Sequence, residues 1–242
     1  MLIIPIYLVL MTNWLMIKSS TMDPGIIPRR IIRMHKRYAD YDIFYRLRHL
    51  SDNYRMKFWP TCYIFRPPRV SHCNTCNNWV VRWDHHWPWM GTCIGRRNFK
   101  YFYWFLVHLF FLTLYGFVMT IIHMFLVASE EDSDSSYSMA WSEVLRDNPL
   151  SLILWICIAP GLIFATVLVI YHTYLCWIDE TTNENVKEYY KDVPFSPYSS
   201  ESLFHNFIRR VFETTPKSLL TPDLRVRDKV SIHETKMALE SK

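Results

Sequence analysis

Charge is nearly absent from three long stretches of this 242-residue chain. Leu2–Ile17 has only Thr12 and Asn13 as clearly polar members. Phe99–Ala128 and Leu150–Ile178 share a single charge, Lys100, near the start of the former. A bilayer-crossing helix needs about 20 mostly apolar residues, so these stretches predict three spans. No basic leader precedes the first run and no small-residue cleavage site follows it, which argues against a signal peptide. Internal repeats and low-complexity tracts are also missing, apart from the acidic-serine stretch Ser129–Ser138, which has the composition of an exposed loop. Acidic residues are scarce over 18–100, with 5 Asp/Glu against 16 Lys/Arg, whereas 129–149 has one Arg against six acids. Positive segments stay on the cytoplasmic side. The segment 18–100 is therefore expected in the cytosol, 129–149 in the lumen or outside, and the tail from Asp179 in the cytosol again. The net charge of +5 is thus a topology signal. A basic segment tethered between spans and lacking a recognition-helix pattern argues against a nucleic-acid partner.

The expected organisation is a span over 1–18, a cytosolic connector over 19–58, and a cysteine-rich module over 59–98. Further spans follow over 99–128 and 150–178, separated by the 129–149 loop, and the tail occupies 179–242. The fold class is all-α, a polytopic membrane protein with a small, irregular, zinc-binding cytosolic domain. Asp23-Pro24-Gly25 is a turn signal. Arg29–Arg37 interleaves basic with apolar residues, a pattern that suits either anionic headgroups or a solvated basic face. Residues 38–58 are expected to be helical, Glu180–Lys191 to continue the last span, Ser202–Phe212 to form an amphipathic helix, and the chain beyond Pro216 to be disordered.

Chemistry is concentrated between Cys62 and Asn98. Four of the six cysteines, Cys62, Cys73, Cys76 and Cys93, lie in a segment assigned to the reducing cytosol, where clustered thiols bind metal more often than they form disulfides. Cys157 and Cys176 lie in the last apolar run and behave as small hydrophobes. Zinc takes four tetrahedral Cys/His ligands, and Cys-x2-Cys lets one turn supply two of them. Cys73 and Cys76 have that spacing, and His86 and Cys93 complete a Cys3His set. Cys62 and His72 remain as half of another.

This segment resembles the cysteine-rich domain of DHHC-type protein S-acyltransferases (palmitoyltransferases). Arg66-Pro67-Pro68-Arg69, Ser71-His72-Cys73, Cys76, Asp84-His85-His86, Pro88-Trp89, Cys93 and Gly95-x2-Asn98 all fall in register with the family pattern. Asp23-Pro24-Gly25 and Thr181-Thr182-Asn183-Glu184 match two further family motifs, and Asn206-Phe207 matches a third more loosely. The resemblance implies structural zinc held by positions 59, 62, 72 and 79 and by 73, 76, 86 and 93. It also implies four or more spans, so that Leu2–Ile17 corresponds to the family's second. At position 87 it implies a nucleophile that takes a long-chain acyl group from acyl-CoA and passes it to a protein cysteine. His85 is the expected general base and Asp84 its orienting partner. The partners implied are the bilayer, acyl-CoA and proteins with juxtamembrane cytosolic cysteines. The location implied is an endomembrane (Golgi or endoplasmic reticulum) or the plasma membrane. Arg96, Arg97 and Lys100 are candidates for CoA phosphates or, equally, for span-flanking anchors.

Three family cysteine positions hold tryptophan: Trp59, Trp79 and Trp87. An indole offers zinc no usable lone pair and forms no thioester, since its N–H only donates. Gradual decay gives a non-catalytic zinc-bearing membrane scaffold. Reading UGA codons as tryptophan, where the source reads them as cysteine, gives the same amino-acid sequence. Decay would scatter replacements among several residue types, and all three are Trp, so misread codons are the expectation. Trp89 matches a family tryptophan. A small transporter is the remaining alternative, motivated by His108, His123 and His172 within spans.

Overall fold

The computed structural model describes residues 2–27, 58–59, 64–65, 68–131, 146, 148–193 and 196–220. Cys62, the basic run Arg29–Arg37, residues 38–57, most of the 129–149 loop and the tail beyond 220 lie outside the described residues. Two compact units are distinguished, Met1–Lys18 with Tyr101–Tyr174, and Ser19–Lys100 with Leu175–Lys242.

Among the described residues, three helices are long and apolar enough to cross a membrane: α1 (Ile3–Thr21), α2 (Phe99–Glu131) and α3 (Pro149–Trp177). Within the first unit several polar side chains on these helices find partners, as a lipid environment demands. Thr12 Oγ1 donates to Leu8 O at 2.7 Å and Thr166 Oγ1 to Leu162 O at 2.7 Å, each one turn back. Tyr103 and Thr173 share a hydroxyl bond of 2.9 Å between α2 and α3. Tyr7, Leu8, Phe111, Tyr115 and Met119 line an open apolar groove of about 640 Å³. His108 bonds the Trp104 carbonyl, His123 meets Ser151, and His172 is buried against Phe102. His108 and His123 are 15 residues apart on one helix, about 22 Å at 1.5 Å per residue. They build no shared site, and nothing in this arrangement favours a transporter.

The second unit departs from expectation. Where an irregular module is expected, the described residues within 58–98 include short strands beside the otherwise helical protein. Strands β1 (Ile26–Ile27), β5 (Asn78–Val81) and β4 (Val70–Cys73) form an antiparallel sheet in that order. β2 (Phe58–Trp59) pairs with β3 (Ile64–Phe65), and β6 (His85–Trp87) with β7 (Thr92–Ile94). These strands have only two to four residues, too few for alternation to announce itself in sequence. The Cys-x2-Cys segment is the tip of the β4–β5 hairpin, and Asn77 takes the left-handed backbone (φ 51°) that the turn requires. Asparagine is among the residues that tolerate this conformation.

The Asp-Pro-Gly turn is fixed within this module. Asp23 Oδ1 accepts from the backbone of Gly25 and Ile26, both at 2.9 Å, and Asp23 Oδ2 pairs with Arg97 at 2.7 Å. Gly95 lies where a Cβ would fall 2.5 Å from Val80 and 2.6 Å from Pro24 O, so only glycine fits. Asn98, fully buried, accepts from Gly95 N and donates to Ser19 O and Cys93 O. Gly-x2-Asn is thus an elbow that closes the module.

A second correction concerns the tail. Glu180–Lys191 does not continue α3. Asp179 adopts φ 50°, which ends the helix, and Thr181 opens a separate α4 (Thr182–Val186). Thr181 accepts from Glu184 N while Glu184 reaches back to Thr181 N, a capping box that the Thr-x-x-Glu pattern encodes. The amphipathic segment appears as α5 (Leu203–Val211).

Candidate active site and metal centre

Strand alternation organises the centre. In β6 successive side chains point to opposite faces, so His86 faces one way while His85 and residue 87 face the other. His86 lies opposite Cys93 in the β6–β7 pair. Across to the other hairpin, Cys76 Sγ is 3.3 Å from His86 Nδ1 and 3.6 Å from Cys93 Sγ, and Cys93 Sγ is 3.8 Å from His86 Nδ1. With Cys73, all four ligand atoms lie within 4.8 Å of one another. A zinc ion with Zn–S of about 2.3 Å sets tetrahedral sulfurs about 3.8 Å apart, so the residues fit that ion. Burial pushes the Cys93 and Cys76 thiols up. Burial acts the same way on Cys73, but bonds from the Cys76 backbone and the Cys93 side chain outweigh it and leave that thiol lowered.

The other expected zinc positions do not form a comparable group among the described residues. Trp79 is buried with Val70 and packs on Ile27 and Val81, and its ring lies 5.2 Å from that of His72, directly opposite in the β4–β5 register. The ring nitrogens of His72 meet the Asn74 and Asn77 side chains at 3.0 and 3.2 Å. Trp59 lies opposite Ile64.

On the other face of β6, His85 and Trp87 approach with ring centroids 5.3 Å apart, and Trp87 meets Trp89 at 5.7 Å. His85 Nδ1 is 2.7 Å from Asp84 Oδ2. Asp84 is fully buried and all its acceptor capacity is used. Thr182 donates from its backbone at 3.0 Å and its hydroxyl at 2.6 Å, and Arg210 donates at 3.0 Å. The carboxylate is therefore held in one orientation.

Sequence reasoning gave no role to the ionic cluster behind this dyad. Arg69 grips Glu184 with Nε and Nη2 at 2.9 and 2.8 Å and also bonds Asp179. Asp179 further receives Arg82 at 2.6 Å and Arg209. Burial pulls the Arg69 pKa down, but Glu184 and Asp179 outweigh it and the net shift is upward. Burial and the neighbouring Arg69 bring Arg82 down to about 10. Burial raises the Asp179 and Glu184 carboxyls, yet the guanidinium groups beside them hold both below the usual range. Arg69, Arg82 and Asp179 all have positive φ (58°, 47° and 50°), strain of order 1 kcal/mol or more each that only an over-determined network keeps in place. No local pattern could have joined Arg69 and Arg82 to Asp179 and Glu184, which lie 97 to 115 positions away.

A depressed carboxyl pKa contributes stability that is complete above the unfolded value, about 4, and is lost as pH falls through the folded value. The purified protein is therefore expected to hold its melting temperature from pH 8 to about 5 and to lose it below about 4.5. Glu184→Gln should shrink that acid-dependent loss, measured by thermal unfolding in detergent.

The basic residues offered for CoA phosphates are occupied internally. Arg96 pairs with Glu213 at 2.8 Å, Arg97 with Asp23, and Lys100 Nζ donates to Glu213 O at 3.1 Å.

Three helices apolar enough to cross a membrane and a Cys/His cluster that fits zinc mark a membrane protein with a metal-binding module. The chain belongs to the DHHC palmitoyltransferase family, whose sequence pattern matches residues 52–189. It is similar to palmitoyltransferase ZDHHC9 of Danio rerio, 33% identical over 224 residues, covering 84% of this chain and 56% of that protein. The Homo sapiens ZDHHC9 is 32% identical over 223 residues, covering 85% and 59%. Probable protein S-acyltransferase 7 of Arabidopsis thaliana is 31% identical over 218 residues, covering 84% and 47%. The chain thus spans roughly half to three-fifths of the length of these relatives.

Proposed function

We propose that the protein is a protein-cysteine S-palmitoyltransferase in which position 87 carries a cysteine in its native source. What supports this most is the β6 alternation, because it brings residue 87 and His85 to one face while His86 turns to the metal cluster. A thiol at 87 would stand beside an imidazole whose other nitrogen is held by a buried carboxylate, the nucleophile–base–orienter arrangement of covalent catalysis. His85 takes the thiol proton as the sulfur attacks the acyl-CoA thioester carbonyl. The C–S bond to CoA then breaks, the CoA thiolate is protonated, and a substrate-protein cysteine repeats the attack on the acyl-enzyme.

Zinc, when bound by Cys73, Cys76, His86 and Cys93, would be structural and would pin the two hairpins, having no open coordination position. A cysteine at 79 would face His72 across β4–β5, and with Cys62 and a cysteine at 59 it supplies a second four-ligand set. The apolar helices provide surroundings for the acyl chain, at about 0.8 kcal/mol per buried methylene.

With tryptophan at 87 the protein is a zinc-bearing membrane scaffold without an acyl-enzyme, and the indole itself favours that second reading. Two preparations separate the readings, the chain as given and the W59C/W79C/W87C variant. Zinc content is expected to rise from one to two ions per chain. Labelled palmitoyl-CoA should mark only the variant, through a bond that hydroxylamine cleaves. Absence of label on a variant that holds its zinc would refute the acyltransferase reading.

A further inference from the structure

We propose that α5 is a membrane-interface helix, with Phe204 and Ile208 inserted at the boundary of lipid headgroups and acyl chains. One face of α5 is committed to the protein. Asn206 is fully buried and donates from Nδ2 to Trp177 O at 2.9 Å, the last residue of α3. Arg210, also buried, donates to Glu180 O and to Asp84. Val211 closes this face at 1% exposure. The adjoining face carries Phe204 at 70%, Ile208 at 37% and, at the C-cap, Phe212 at 57% exposure, spaced i, i+4, i+8. Residues at that spacing form a continuous stripe about 80° wide on a 3.6-residue helix. An open hollow of about 630 Å³ beside Phe204 and Ile208 is otherwise lined by the polar residues Ser200, Glu201, Ser202 and His205.

The bilayer, rather than a soluble partner, is the occupant that placement favours. α5 is hydrogen-bonded to Trp177, the last residue of a helix long and apolar enough to cross a membrane. Tyr174 and Trp177, in the last turn of that helix, are 48% and 46% exposed, as expected of the aromatic belt at a membrane–water boundary. A two-faced helix of this kind lies in the interface plane. The inference does not depend on which residue occupies position 87.

The test uses the intact chain in phosphatidylcholine nanodiscs whose acyl chains carry a diazirine near the glycerol end. After irradiation, carbene adducts are mapped by peptide mass spectrometry. Adducts are expected on Phe204, Ile208 and Phe212 as well as on Tyr174 and Trp177, and not on Asn206 or Arg210. The F204Q/I208Q/F212Q variant changes only exposed side chains, and it should lose the adducts of α5 while keeping those of the spans. Adducts confined to the spans, unchanged α5 adducts in the variant, or cross-links from the stripe to a second copy or another protein would each overturn the proposal.

Discussion

With cysteine at position 87, His85→Ala is expected to slow acyl-enzyme formation by about 10²–10⁴-fold, the usual contribution of a positioned general base. Zinc content should not change, and that separation gives the experiment its force. His85 and His86 are neighbours in sequence but face opposite sides of β6, so one substitution should remove chemistry and the other should remove structure. His86→Ala is accordingly expected to lower bound zinc and thermal stability together. Labelling by palmitoyl-CoA in single-turnover mixtures and metal content of the same samples give both readouts. Parallel loss of zinc in His85→Ala would show that the two faces are not independent and would remove the basis for the assigned roles.

Arg69→Ala is expected to destabilise the fold by about 3–5 kcal/mol, the cost of leaving buried carboxylates without their cation. Arg69 side-chain exposure is 7%, and its partners Asp179 and Glu184 are at 2–3%. Arg69→Lys should recover only part of this, since an ammonium cannot reproduce the two-pronged grip on Glu184. The effect should also reach the dyad. Glu184 orders the α4 cap whose next residue, Thr182, holds Asp84. Thermal unfolding of the two variants beside the parent measures the first effect, and acyl-enzyme yield at a temperature where all three remain folded measures the second. Equal stability of Arg69→Ala and parent would mean that the cluster is incidental.

Much of this was legible from residues alone, for identifiable reasons. Long uncharged runs can satisfy their backbone in lipid only as helices, so the three spans were evident. Cys73, Cys76, His86 and Cys93 were assignable because a four-ligand ion constrains spacing, and the structure brings their ligand atoms together. The β-hairpins were missed because strands of two to four residues, held by turns and ligands, carry almost no periodic signal. The break after α3 was missed although Thr181-Thr182-Asn183-Glu184 spells a capping box, since a following polar segment also suits a continuing helix. Arg69 and Glu184 lie in recognisable motifs, but nothing local joined them to Arg82, Asp179 and Arg210 as one cluster. Each member is an ordinary charged residue until the fold removes it from water, and burial without a partner is what makes the network obligatory.

The account rests on a thiol where the translated sequence has an indole. The most direct measurement is the mass of the peptide spanning residues 83–96, isolated from the organism that makes this protein and treated with an alkylating reagent. The account predicts a cysteine mass at position 87 that shifts on alkylation. A tryptophan mass that ignores the reagent would contradict it and leave a zinc-bearing membrane scaffold.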